Sequence, residues 1–191
     1  METGSPIPIP DPGPHETEAA LIERAKSDAG AFATLYRRHY PTIVGYLFRR
    51  TGDVHAAEDL ASETFLAAMG ALPRYTVTQV PLRIWLLRIS TNAANRWARQ
   101  RQKLRLERAA FTPLTAGSAG ERQAALEEAQ RALLALSPEH QAVLSLHYLE
   151  SLSVEDVATV IGCRLGTIKS RLARARAAMK SELERRSNEH G

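Results

Sequence analysis

The feature that most constrains this chain is where its helix breakers fall. Pro6, Pro8, Pro10, Pro12 and Pro14 crowd the N-terminus, and Pro, Gly, Ser and Thr gather again in FTPLTAGSAGE, residues 111–121. Outside those stretches lie two long blocks in which apolar residues recur at three- and four-residue spacing, the period of a helix face. Alternating Pro sustains neither a helix nor a strand ladder, so residues 1–16 read as an extended or disordered tail. Residues 109–121 read as a linker between domains 17–108 and 122–186, with 187–191 a short tail. The expectation is an all-α protein of two small helical domains joined by a flexible linker. A run of about 18–20 uncharged apolar residues, the minimum for a membrane helix, is absent, so no membrane insertion is expected. The single cysteine, Cys163, excludes an internal disulfide framework and a multi-Cys zinc site. Met1 is followed by neither a basic segment nor an apolar core, which reads as no signal peptide and a cytoplasmic location.

In the first block, Phe32, Leu35, Tyr36, Ile43, Val44 and Leu47 form one helical face, interrupted by Pro41, a kink or a new start. Thr51-Gly52-Asp53 is a stop followed by a start, with Asp53 as N-cap of a helix over 54–72. Its apolar stripe is Ala57, Leu60, Ala61, Phe65, Leu66 and Met69; Glu58, Asp59, Ser62 and Glu63 project from the other side. Asp59 and Glu63, four apart, are neighbours on one face. Carboxylates bind hard cations, but no facing acid-rich segment supplies further ligands, so a metal site is not expected. A solvated face or a docking surface for a basic partner remain. Pro73 ends this helix. The loop 74–80, with Arg74, Tyr75 and Thr78, is either an ordinary polar loop or a holder for an unstacked base. Pro81 suits the first turn of the next helix, whose Leu82, Trp85, Leu86 and Ile89 face inward. That helix turns basic: Arg96, Arg99, Arg101, Lys103, Arg105 and Arg108 face a single acid, Glu107. Trp97, among Asn92, Asn95, Arg96 and Arg99, can pack or can stack on a base.

The second block reads as helices over roughly 121–135, 138–150, 153–161 and 165–185. Ser137-Pro138 and Ser153-Val154-Glu155-Asp156 are helix starts. In LSVEDVATVIGCRLGTIKSRLARARAAM, residues 152–179, a short helix is followed by Gly162 and then by a helix with Leu165, Ile168, Leu172, Ala175 and Met179 inward. Arg164, Thr167, Lys169, Ser170, Arg171 and Arg174 lie outward, and residues 157–181 hold six cations and no acid. Short helix, glycine turn and basic helix is the helix-turn-helix pattern. A helix fills the B-DNA major groove, where Arg forks onto guanine. Cys163, at the turn, reads as a small packing residue.

These residues, in this order, resemble the extracytoplasmic-function (ECF, group 4) sigma factors of the sigma-70 family of bacterial RNA polymerase. AAEDLASETFLAAMGAL (56–72) resembles the family's polymerase-binding helix. PLRIWLLRISTNAANRWARQR (81–101) resembles its melting and −10-reading helix, and residues 136–179 resemble its −35-reading domain. Ser62 stands where Gln is usual and Arg96 where Asp is common. The resemblance implies an RNA polymerase sigma factor that binds core polymerase and directs promoter-specific initiation through the −35 and −10 elements and promoter melting. It implies that Glu58, Asp59, Ser62 and Glu63 meet the β′ clamp helices, with the β flap as a second contact. It puts Arg74, Tyr75, Thr78, Asn92, Asn95, Arg96, Trp97 and Arg99 at the −10 element, and Arg164, Thr167, Lys169, Ser170, Arg171 and Arg174 at the −35 element. It also implies an anti-sigma factor as partner. A stand-alone helix-turn-helix regulator and a polymerase-binding antagonist are the alternatives. No nucleophile–base pair, phosphate-cradling glycine loop or metal cluster is legible, so neither an enzyme nor a cofactor is expected.

Overall fold

A computed structural model describes residues 16–77, 80–107 and 121–189. The Pro-rich stretch 1–15, the linker residues 109–120 and Thr78 lie outside the described residues. The first block holds α1 (Glu18–Ala25), α2 (Ala29–Thr51), α3 (Val54–Ala71), a 3-10 turn (Leu72–Arg74) and α4 (Leu82–Glu107). The second holds α5 (Glu121–Ala135), α6 (Pro138–Leu144), a π turn (Ser145–Leu149), α7 (Val154–Ile161) and α8 (Leu165–Glu189). The starts follow from side-chain caps that satisfy otherwise orphaned amides. Asp28 accepts from Gly30 N (2.8 Å) and Asp53 from Ala56 N (3.1 Å). Ser137 accepts from His140 N (3.3 Å) and Ser153 from Asp156 N (3.0 Å).

Three elements depart from the sequence expectation. α2 runs unbroken through Pro41, which sits on its exposed side. The helix expected over 138–150 stops at Leu144 and widens into the π turn, after which Ser151 adopts a left-handed φ of 56°. α8 continues through Ser187 to Glu189, residues expected as tail.

Each block is organised around its own apolar centre. Ile43, Tyr46, Leu47, Ala57, Ala61, Phe65 and Leu87 fill the first; Val143, Leu146, Val157, Val160, Ile168 and Ala175 fill the second. A buried Leu or Ile contributes about 1.5–3 kcal/mol, so these positions carry the fold. A ring cluster of Tyr36, Tyr40 and Phe65 staples α2 to α3, with centroids 4.7 Å apart for Tyr36 and Phe65. The blocks do not stand apart. α4 packs on α6 and α7, α2 packs on α5, and the buried apolar residues of both blocks form one continuous cluster.

Candidate nucleic-acid interface

The helix-turn-helix is built by α7, a turn at Gly162 and α8. Gly162 takes φ 74°, which only glycine adopts without strain, and its amide closes α7 on Ala158 O at 2.8 Å. Val157 and Val160 of α7 and Ile168, Leu172 and Ala175 of α8 are buried, which fixes the rotation of α8 about its axis. That rotation leaves Arg164, Thr167, Lys169, Ser170 and Arg174 exposed and Arg171 half-buried. Ser170 donates its hydroxyl to Thr167 O (3.0 Å), and Arg174 Nε donates to Ser170 O (3.4 Å). Leu165, expected inward, is 37% exposed: it opens α8 beside Arg164, three residues before the packed stripe begins at Ile168.

α3 presents the second surface. Ala57, Leu60, Ala61, Thr64, Phe65 and Ala68 are buried, so Glu58, Asp59, Ser62 and Glu63 face solvent. Leu66 and Met69, expected in the buried stripe, are instead 66% and 50% exposed. The core is already filled by the row ending in Ala68, and Leu66 and Met69 fall two turns beyond Asp59 and Ser62 on the outer face. The result is a mixed acidic and apolar stripe, Asp59–Ser62–Glu63–Leu66–Met69. Large apolar side chains exposed beside charge are a feature that protein-docking surfaces share.

α4 and the loop before it sort the remaining expected residues. Arg74, Asn92, Arg96 and Arg99 are exposed. Arg96 pairs with Glu63 across α4 and α3. Trp97 is half-buried against the core, with the Arg101 guanidinium 5.0 Å over its ring. That indole therefore both packs on the core and carries a guanidinium over its ring. Tyr75 is half-buried: its ring lies 4.8 Å from that of Trp85 and its hydroxyl donates to Val80 O at 2.9 Å. Burial raises its pKa above the ordinary phenol value. Asn95 is turned inward instead, and its carboxamide oxygen accepts from Arg50 Nη2 at 2.8 Å.

Two features escaped the sequence reading. One is Arg50 itself, 3% exposed, which also donates to Tyr46 Oη (2.9 Å) and to Pro138 O of the second block (3.1 Å). The other is an open apolar groove of about 1000 Å³ between α5, the π turn and α8, lined by Leu126, Leu133, Tyr148, Leu149, Met179 and Leu183 with Arg176 and Lys180 beside them. The π turn creates it by turning Tyr148 and Leu149 outward, to 50% and 49% exposure. A continuous α-helix through this stretch, which the sequence suggested, gives no sign of it.

Fold and faces together define an all-α protein of two packed helical blocks carrying a cationic helix-turn-helix and a separate stripe of exposed acidic and apolar side chains. Residues 35–104 match the family model of sigma-70 region 2, and residues 126–179 match that of sigma-70 region 4. The chain is 31% identical over 162 residues to the RNA polymerase sigma factor YlaC of Bacillus subtilis, covering 81% of this chain and 93% of that protein. It is 37% identical over 174 residues to the ECF RNA polymerase sigma factor SigC of Mycobacterium tuberculosis, covering 87% and 90%. Among solved structures it is similar to the sigma factor RpoE of Bartonella quintana in complex with the anti-sigma factor NepR. That match has a TM-score of 0.62 at 26% identity and covers 80% of this chain and 96% of that one. CnrH in complex with the cytosolic domain of CnrY shares the fold, with a TM-score of 0.67 at 24% identity over 87% and 97% of the two chains. The chain belongs to the extracytoplasmic-function sigma factors of the sigma-70 family. It is an RNA polymerase sigma factor that directs transcription initiation with core polymerase at promoter DNA, and the family is one of non-enzymatic initiation factors. Among the described residues no helix is long and apolar enough to cross a membrane.

Proposed function

We propose that the work of initiation is divided among three faces of this chain. The α3 stripe grips a basic helical surface of the polymerase, the β′ clamp helices, through Asp59 and Glu63 with Leu66 and Met69 as apolar anchors. Glu58 and Ser62 flank that contact. The cations of α8, with Thr167 and Ser170, meet the −35 element in the major groove. Arg74, Asn92, Arg96, Trp97 and Arg99, with the loop holding Tyr75 and Thr78, meet the −10 strand once it is single. Asn95 belongs to the scaffold, because its acceptor is already occupied by Arg50. The apolar groove beside Tyr148 suits the β flap. Because RpoE of Bartonella quintana was solved with the anti-sigma factor NepR, an anti-sigma factor covering these same faces is part of the proposal. The chain works in the cytoplasm and contributes no bond-forming chemistry; the polymerase does that.

The observation that carries the reading is α8. One face is locked by Ile168, Leu172 and Ala175, and the other is left cationic and exposed. Melting DNA costs roughly 1.4 kcal/mol per stacked step. Trapping an extruded base and stacking on the freed strand offset part of that cost. Phosphate contacts add affinity that falls steeply with salt.

The test is run-off transcription with sigma-free core polymerase and promoter fragments. Asp59→Lys with Glu63→Lys is expected to abolish polymerase binding and every transcript. Arg171→Ala with Arg174→Ala is expected to leave polymerase binding intact and lose −35-dependent transcripts. Loss of transcripts in the second pair with unchanged duplex binding would remove α8 from the proposal.

A further inference from the structure

The groove between α5, the π turn and α8 leaves Leu126, Tyr148 and Leu149 exposed, with Met179 and Leu183 of α8 half-buried beside them. Apolar side chains of that size, exposed together, mark a binding surface. Its rim is cationic: Arg176 and Lys180 stand exposed on α8, and among the described residues Arg176 forms no ion pair. The chain carries a segment of matching chemistry. Residues 6–10 read Pro-Ile-Pro-Ile-Pro, and from Met1 to His15 the charged side chains are Glu2 and Asp11, with no Lys or Arg. The two acids flank the two isoleucines, one on each side. Proline fixes φ near −65°, so such a segment gives up little conformational freedom on docking. Pro-rich segments dock in aromatic-lined apolar grooves for that reason, and Tyr148 supplies the ring here.

Reach agrees with chemistry. Thr17 caps α1 by accepting from Ala20 N at 3.3 Å, and Glu18 pairs with His39 Nε2 of α2 at 3.1 Å, so the tail departs from a fixed point beside His39. Arg49, ten residues farther along α2, lies about 15 Å away at about 1.5 Å per residue, and it lines the groove. Arg83 leads to the same side: its charge bears on His39, and it pairs with Glu150 at the end of the π turn that carries Tyr148 and Leu149. Ile9 and Ile7 precede Glu16 by seven and nine residues, about 22–28 Å of extended chain at about 3.1 Å per residue. That length covers the span.

We propose that the chain's own Pro-Ile segment, residues 6–10, seats in this groove in the free protein, with Ile7 and Ile9 against Leu126, Tyr148 and Leu149 and the flanking acids toward Arg176 and Lys180. A tethered segment meets the groove at an effective concentration of about millimolar, so modest contacts keep it filled. A second copy of the chain would have to compete at its far lower bulk concentration. The consequence for initiation rests on the assignment of the groove to the β flap made above: the tail and the flap then share one seat, and polymerase must displace the tail to take it.

The experiment places a spin label at Ser5→Cys in a Cys163→Ser background of the full chain and reads the broadening of methyl signals in the nuclear magnetic resonance spectrum. Leu126, Leu149, Met179 and Leu183 are expected to broaden, while methyl groups of α3 such as those of Leu66 and Met69 stay sharp. Ile7→Ser with Ile9→Ser, which alters no residue of the folded blocks, should abolish the broadening. Arg176→Glu with Lys180→Glu should weaken it from the other side. Signals in the groove that stay sharp in the wild type, or broadening that survives Ile7→Ser with Ile9→Ser, overturns the proposal. So does broadening that appears only when spin-labelled chains are mixed with separate isotope-labelled ones, which would make a second copy the occupant. Core polymerase should bind the Ile7→Ser, Ile9→Ser chain roughly threefold more tightly, the gain expected when a groove open in about one chain in three becomes open in all. Unchanged affinity together with groove broadening in the wild type upholds the tail's seat and removes the β flap from the groove.

Discussion

Asn95 and Arg99 stand four positions apart on α4 and are both polar, yet the structure gives them different surroundings. Asn95 is half-buried and accepts from the buried guanidinium of Arg50; Arg99 is exposed. Replacing Asn95 by Ala withdraws one acceptor from a buried guanidinium, and a lost hydrogen bond to a charged group costs about 1–3 kcal/mol. The expected result is a lower urea midpoint with the salt dependence of DNA binding unchanged. Arg99→Ala should do the opposite. Stability should move by less than about 0.5 kcal/mol. The slope of log K against log salt on single-stranded DNA should flatten by roughly 0.7. A flattened slope for Asn95→Ala would return it to the DNA contacts. The sequence made the two residues look alike because both lie in one cationic run of a helix. What separates them is Arg50, reaching α4 from a position 45 residues away, and periodicity within one helix carries no trace of such a contact.

At the scale of elements, the parts written locally were legible and the parts imposed by neighbours were not. Asp53, Ser137 and Ser153 announce helix starts because a cap is made within three residues, and each caps as expected. Gly162 announces the turn of the helix-turn-helix for the same local reason. The exposure of Leu66 and Met69 and the π turn at Ser145–Leu149 depend on what packs against α3 and α6, and an apolar stripe read from one strand of text assigns both sides of a helix to the core. The two left-handed glycines make the distinction measurable. Gly52 (φ 67°) and Gly162 (φ 74°) share a conformation, so Ala at either should cost roughly 1–2 kcal/mol in backbone strain. Only at Gly52 does the new Cβ also meet Leu134, whereas nothing lies within 4 Å at Gly162. Gly52→Ala should therefore be the more destabilising in urea titration, and adding Leu134→Ala should recover the difference. The same second substitution should do nothing for Gly162→Ala. Equal costs for the two glycines would mean that α5 does not press on the end of α2.

At the scale of the molecule, the expectation of two domains on a linker describes the chain's segments but not their coupling. Each block matches its own family model, and each has its own apolar centre. Yet Leu133, Val143 and Leu146 join Leu47 and Leu87 in one buried cluster, and among the described residues the ion pairs of Glu150 are made with Arg49 and Arg83 of the other block. A unit whose removal strands a buried charge and bares apolar surface on its neighbour should not unfold alone. The wild-type chain is thus expected to melt in a single calorimetric transition, with the calorimetric enthalpy equal to the van't Hoff enthalpy. Glu150→Ala removes the charge that ties the blocks while leaving both apolar centres whole. It should split the melt into two transitions, the less stable one belonging to whichever block has lost more of its shared surface. Two transitions in the wild type would show that the junction is too weak to couple the blocks. A single transition surviving in Glu150→Ala would show that apolar packing of α4 on α7, rather than the ion pairs of Arg49 and Arg83 with Glu150, holds them together.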